Sequence, residues 1–507
     1  MRFLKSDNKK QPLIILLLCV FIFILLRIPS LVEPDWYGDE GIYQVVGMSL
    51  RQGRLLYAGI WDNKPPLLYL FYAIFNGDLF WLKVSSLVFG ALSVALFFYI
   101  SKRLFTKKNA VYLATGFYAI LFGLPFIEGN IANAENFMHL PIFIGLLFFL
   151  KIYENPLKNK EHHLPKTKRR IFLLLVGFFL SIAFSLKIVA VFDFLAFFLV
   201  SFIFDYTEEI ANHKHTVIYI IRSLKESSYD QIWMIVGFIS LPVITALYFL
   251  QHHALQDYIS AVYATNVGYV NVNNSFFLPL GLIWIKLILL GIALLMLIRL
   301  KDKMNTTTTF IYFWLAFSVF NAFFSEREYT HYLLVLLPSF SLLVGLLIER
   351  KRKIILHMGM LIILFIIIHQ NFILYTKTFD YYKNYFSFTF GNETLYNYQA
   401  FFDSQTPQMY AISQMIPSLP KNNSQIFLLS NSAQIYALTG KLPPGRYITS
   451  YHISFYKNAV AETKQALTKV KPQYIIQTPE VEDTDSFLAG YTLRYIIGTA
   501  RIYERQS

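Results

Sequence analysis

Repeated apolar runs of roughly 17 to 20 residues, almost free of charge, constrain this chain more than any other feature, because that is the length an α-helix needs to cross a ~30 Å hydrocarbon core. They fall near 12–30, 82–101, 109–127, 136–153, 171–186, 189–206, 231–251, 277–299, 309–324, 332–349 and 354–371. Hydrophobic residues make up 55% of the 507 and aromatic ones 18%, with a mean hydropathy of +0.46. Soluble domains are roughly 45–50% apolar, so lipid is the solvent for much of this chain. The expected fold class is a polytopic α-helical membrane protein with about 11 transmembrane helices.

Charge placement sets the topology. The net charge of +14 resembles that of a nucleic-acid binder, but the basic residues sit in short loops between apolar runs and no nucleic-acid partner is expected. Met1 to Lys10 carries Arg2, Lys5, Lys9 and Lys10 ahead of the first run, which is not followed by a small-x-small cleavage site and reads as a membrane helix. With the N-terminus in the cytoplasm of a plasma-membrane protein, Lys102 to Lys108, Lys158 to Arg170, Arg299 to Lys303 and Arg350 to Lys353 all fall inside. The opposite loops 128–135 and 252–275 contain no Lys or Arg. In the apolar stretch 171–206, two crossings with an outer turn at Lys187 keep the later loops consistent. The single cysteine, Cys19, lies in the first run and excludes an intramolecular disulfide.

Two outer features are too long to be connectors. The transmembrane domain is expected over 1–371, its first outer loop (31–81) carrying interfacial helices over Glu40–Gln52 and Pro65–Asn76 with many Tyr, Trp and Phe. An extracytoplasmic α/β domain is expected over 372–507. Residues 375–415 show no clear period. Beyond them the pattern reads strand (Gln425–Leu429), helix (Ala433–Thr439, closed by Gly440), strand (Arg446–Thr449), helix (Ala459–Val470), strand (Gln473–Gln477) and a last strand near Leu493–Tyr503. The tail carries no nucleotide fingerprint, P-loop, HExxH or CxxC pattern.

The candidates for chemistry are charged residues that this topology puts on the outer face. Asp39 and Glu40 follow the first crossing directly; a carboxylate there can take a proton from an acceptor hydroxyl, or simply cap a helix. Lys64, in Trp-Asp-Asn-Lys-Pro-Pro, can contact a departing phosphate or snorkel. Glu135, in Asn-Ala-Glu-Asn, begins a crossing and suits catalysis or capping. Arg327 and His331 share a very short outer turn; the arginine can hold phosphate or pair with Glu326 or Glu328. Lys187 stands alone in apolar sequence. Two acids and three bases drawn from separate loops onto one face are what an anionic, lipid-linked donor would require.

These residues resemble a known family. Asp-Glu after the first crossing, Gly53-x-x-Leu56-Tyr57, Lys64-Pro-Pro, Ala132-x-Ala134-Glu135 and Arg327-x-x-x-His331-Tyr332 before Pro338 are similar to bacterial relatives of dolichyl-phosphate-mannose protein mannosyltransferases, whose superfamily includes the lipid A aminoarabinose transferase. The resemblance implies a GT-C type fold and an inverting glycosyltransferase that uses a polyprenyl-phosphate sugar donor and an extracytoplasmic acceptor: a protein hydroxyl, a lipid or a cell-surface glycan. It further implies Asp39 as acid/base, accompanied by Glu40, with Glu135 as the second acid of the site and Lys64 and Arg327 on the donor phosphate. Some relatives carry an arginine just after the acidic pair, where Gly41 and Ile42 stand here, so Lys187, Arg51, Arg54 or His331 is expected to complete the clamp. A divalent metal ion could bridge Asp39, Glu135 and phosphate, though the spacing does not demand one. The alternative class is a transporter or flippase of lipid-linked solutes. Ionisable residues in outer loops, and the lack of paired broken helices, argue against it.

Overall fold

A computed structural model of the chain describes residues 10–157, 164–211, 217–274, 281–420, 425–456, 458–479, 481 and 485–506. The basic segment 158–163 and the start of the expected span at 277–280 lie outside the described residues. Every one of the expected spans coincides with a helix. Eight helical segments are long and apolar enough to cross a membrane: Gln11–Val32, Leu79–Leu104, Ala134–Tyr153, Lys166–Leu186, Ile188–Tyr206, Tyr229–Gln251, Leu282–Lys303 and Lys351–Asn371. The other three expected spans correspond to helices of 16, 17 and 13 residues, Lys108–Gly123, Thr306–Ala322 and Leu337–Glu349.

Local chemistry sets the helix boundaries. Asp78 caps Leu79–Leu104 by accepting from the Trp81 amide at 3.2 Å, and Asn305 caps Thr306–Ala322 through the Thr308 amide at 3.2 Å. Lys187 breaks the 171–206 stretch into two helices: it is extended (φ −155°) between Lys166–Leu186 and the short 3-10 turn Ile188–Ala190 that leads into Val191–Ala211. Lys166–Leu186 packs against Val217–Gln251 at glycines, because a Cβ at Gly177 or Gly237 would collide with the Met234 or Leu174 carbonyl of the facing helix. Glu349 accepts from the Thr106 and Lys107 amides at 3.2 and 3.0 Å. Two of the basic turns therefore meet at one end of the bundle.

The first loop folds as Gly38–Arg51 and Pro66–Ile74, as expected, and the two helices pack on each other. The aperiodic 375–415 region folds into three helices, Thr378–Thr389, Leu395–Phe402 and Thr406–Met415. Beyond them lies a four-stranded sheet of order β1-β2-β4-β3, with β1 Ile426–Leu429, β2 Tyr474–Gln477, β3 Tyr491–Ile497 and β4 Ala500–Arg505. β1 and β2 are parallel, and β4 runs antiparallel to both its neighbours.

Two expectations for the tail are corrected. Arg446–Thr449 is not a strand: the Arg446 carbonyl accepts the Trp61 amide at 2.8 Å, and Thr449 instead caps a short helix, Ser450–Phe455. The last strand is a hairpin, because Gly498, at φ +56°, supplies a turn between two strands. The helices Gln434–Thr439, ended by Gly440 at φ +66°, and Ala459–Val470 stand as read.

Candidate active site

The site is assembled where the helices Ala134–Leu157 and Lys166–Leu186, the turn before Leu337 and the two helices of the first loop meet. Glu135 opens the first of these helices and Lys187 closes the second, so their antiparallel packing brings the carboxylate against the ammonium in a buried ion pair. Burial is the largest influence on Lys187 and holds its amine below the ordinary lysine value, against the pull of Glu135 and with the repulsion of Lys64. The Lys187 ammonium also stands over the Tyr332 ring, 4.6 Å from its centroid.

His331 approaches the same pair. Its Nε2 is 3.9 Å from Glu135 Oε1, while Nδ1 is held at 3.0 Å by Glu128 Oε2. Glu128 adopts a left-handed backbone (φ +58°), an uncommon conformation for a residue with a Cβ. Its carboxylate also accepts from the hydroxyls of Tyr37, at 2.6 Å, and Thr330, at 2.7 Å. Burial alone would raise its pKa, but the bonds to His331, Tyr37 and Thr330 pull it down to about 2.

Asp39 sits in the first turn of Gly38–Arg51, half-buried, with Oδ2 accepting the Tyr43 hydroxyl at 3.0 Å. One helical turn makes that bond possible, and burial, with Asp39 close by, keeps the Tyr43 phenol well above its ordinary pKa and hence a donor. Lys64 lies 5.9 Å from the centroid of the same Tyr43 ring. Its backbone is fixed on both sides, the amide donating to the Tyr69 hydroxyl at 3.0 Å and the carbonyl accepting from Tyr57 at 2.7 Å. Burial would lower the Lys64 pKa, yet Asp62, Asp39 and Glu135 together raise it, so this amine stays charged. Arg327 stacks on Tyr269, 4.2 Å from its centroid, and Tyr269 is hydrogen-bonded to Tyr332. Lys64 and Lys187 therefore face the Asp39 and Glu135 carboxylates, and Arg327 is linked to them through the Tyr269–Tyr332 hydrogen bond.

Some of the expected residues are placed elsewhere. Glu40 is fully buried and turned away from its neighbour: Oε1 meets Lys83 Nζ at 2.8 Å and accepts the Ala132 amide at 2.6 Å. Lys83 also binds Glu33 at 3.2 Å, whose other oxygen accepts from Asn130 at 2.7 Å. Arg54 donates to the Gly445 carbonyl at 3.2 Å and ties the first loop to the tail, and Arg51 is exposed.

Other contributors escaped the sequence reading. Glu128 and Tyr37 are such residues, as is Asp62, which accepts the Tyr69 hydroxyl at 2.6 Å and faces His452 of the tail at 3.9 Å. The one signal for Asp62 was its place in the Trp-Asp-Asn-Lys motif; nothing local marks Glu128. For a metal, no group of three or more His, Cys, Asp or Glu that could hold one is present among the described residues. Glu135, one of the two acids considered for it, already carries Lys187 as its counter-charge.

Residues 54–257 match the family model of dolichyl-phosphate-mannose-protein mannosyltransferase, a stretch that contains Lys64, Glu128, Glu135 and Lys187. Among solved structures, ArnT from Cupriavidus metallidurans in the apo state is similar at a TM-score of 0.50 and 11% identity, covering 98% of each chain. The same protein bound to undecaprenyl phosphate gives 0.49 at 10% identity, again over 98% of each. The archaeal oligosaccharyltransferase AglB from Archaeoglobus fulgidus, in complex with an inhibitory peptide and a dolichol-phosphate, gives 0.48 at 13% identity, over 99% of this chain and 75% of that one. No curated protein matches the chain. The resemblance read from the motifs is borne out over residues 54–257 by the family match, and the predominantly helical fold by the likeness to apo ArnT.

Proposed function

We propose that this chain is an inverting glycosyltransferase that moves a sugar from a polyprenyl-phosphate carrier to a hydroxyl on an extracytoplasmic acceptor. The observation that carries this reading is the convergence of Asp39, Lys64, the Glu135–Lys187 pair and Arg327, from five separate segments, with tyrosines holding each cation. A site that must bind a phosphodiester donor, stabilise the phosphate monoester that departs and accept a proton beside it needs this combination. The family match over 54–257 supports the donor class.

Asp39, oriented by Tyr43, takes the acceptor's proton as its oxygen attacks the anomeric carbon. The bond from that carbon to the phosphate oxygen breaks, and the carrier phosphate leaves with the electron pair. Its growing charge falls to Lys64 and Arg327, with Lys187 and His331 behind them. One displacement inverts the centre and leaves no covalent intermediate. The lipid tail stays in the membrane, the N-terminus faces the cytoplasm, and residues 372–507 form the outer domain on the acceptor side.

The test is polyprenyl-phosphate release from a panel of polyprenyl-phosphate sugars by purified protein, with membrane extract as acceptor source, comparing wild type with Asp39→Asn. Release by wild type alone is expected, and the active donor names the sugar. Movement of a lipid-linked sugar across vesicles without carrier release would replace this reading with the transporter class.

A further inference from the structure

The tail begins with a helix whose two faces do not suit a water-exposed domain. In Thr378–Thr389, Phe379, Lys383 and Phe386, with Phe390 just past the end, fall at i, i+4, i+7 and i+11, one stripe along the helix. The three phenylalanines are 80%, 52% and 74% exposed, and Leu395 and Tyr396 continue the patch onto the next helix. Exposed aromatics on this scale mark a contact surface.

Two tyrosines fix the depth of the helix, Tyr382 at the edge of the stripe and Tyr381 on the face turned away from it. The Tyr382 hydroxyl donates to the Leu26 carbonyl at 2.9 Å, in the last turn of the first membrane helix, and Tyr381 donates to Glu33 just beyond it. Tyr398, on the neighbouring helix, donates to the Val32 carbonyl at 3.0 Å. On its other side the chain has just left the last membrane helix at Asn371, and the Ile373 amide is bound to the Glu328 carbonyl at 3.1 Å. The helix is thus pinned to the ends of two spans, level with the boundary of the hydrocarbon. Leu25, Ile28 and Val32, at the same end of the first span, are exposed as well.

We propose that Thr378–Thr389 is a membrane-interface anchor: the Phe379, Phe386 and Phe390 stripe enters the boundary between head groups and acyl chains, Lys383 reaches up to the head groups, and the tail is thereby held over the site. The occupant is the lipid of the leaflet in which the last span ends. The anchor also explains why a polar tail keeps these rings uncovered.

The lone cysteine allows a direct test. In full-length Cys19→Ser protein in lipid nanodiscs, single cysteines replacing Phe379, Phe386 or Phe390 are spin-labelled. Collisional relaxation by oxygen, which partitions into lipid, is compared with that by a water-soluble nickel chelate. Gln465, exposed on the far helix of the tail, is the water reference. The oxygen-to-nickel ratio at the three stripe positions is expected to exceed that at Gln465 severalfold. Equal ratios in protein that remains monodisperse would overturn the proposal. So would labels shielded from both reagents and broadened by dipolar coupling, which would assign the stripe to a second copy of the chain.

Discussion

Adjacent acids with opposite duties offer the sharpest test of this structure. Asp39 is half-buried and accepts from Tyr43 at 3.0 Å, so Asp39→Asn should change stability by less than about 1 kcal/mol. Carrier release should nonetheless fall by about 10²–10⁴-fold, the usual worth of a positioned base and roughly 3–5 kcal/mol of barrier. Glu40→Gln is expected to do the reverse. It removes a buried charge 2.8 Å from Lys83, while Glu33 continues to face the ammonium at 3.2 Å. The cost should sit near the lower end of the 3–5 kcal/mol range for breaking a buried pair, about 3 kcal/mol. Lys83→Met leaves two buried carboxylates opposed and should approach about 5 kcal/mol, and combining it with Glu40→Gln should recover part of that loss. Thermal inactivation followed by size exclusion in detergent reads the stability, and carrier release at permissive temperature reads the chemistry. A Glu40→Gln protein as stable as wild type but inactive would refute the division of labour.

Other outcomes follow from the same geometry. Burial raises the Asp35 pKa to about 7 despite the Gln44 bond at 2.9 Å, so its neutral form is the folded one: stability should be greatest at low pH and fall as pH rises from about 4 to 7, by on the order of 4 kcal/mol. Asp35→Asn should remove that slope, measured as inactivation temperature against pH. Glu128→Gln loses the charge that steers His331 and should lower kcat/KM about tenfold or more, worth about 1.5–3 kcal/mol, with the protein still folded. Gly177→Leu drives a side chain into the Met234 carbonyl and should cost about 3 kcal/mol, seen as loss of monodisperse protein, whereas Gly116→Leu, with open space around it, should be tolerated.

Membrane helices are legible because hydropathy is a local, one-dimensional property, and the expected spans found their helices for that reason. The 13 residues of Leu337–Glu349 show where the reading loosens: a half-polar turn, Thr330–Leu333, precedes the helix and hydropathy averages across both. In the candidate site, Asp39, Lys64, Glu135, Lys187, Arg327 and His331 stood out in the sequence because a charge beside lipid needs a reason. Glu40 and Arg54 satisfied the same criterion and went to structural partners, since a sequence does not say which way a side chain turns.

By itself the sequence determined the helical membrane class, the two long segments outside the spans and the set of ionisable residues eligible for chemistry. Tertiary structure alone decided the pairing. Lys83 lies 50 and 43 positions from Glu33 and Glu40, Glu128 lies 203 from His331, and the Trp61 amide finds its acceptor at Arg446. Such contacts join helices whose order in the chain is unrelated to their order in space. In a medium that offers no water to an unpaired charge, packing must supply each partner, and no periodicity records which one it is.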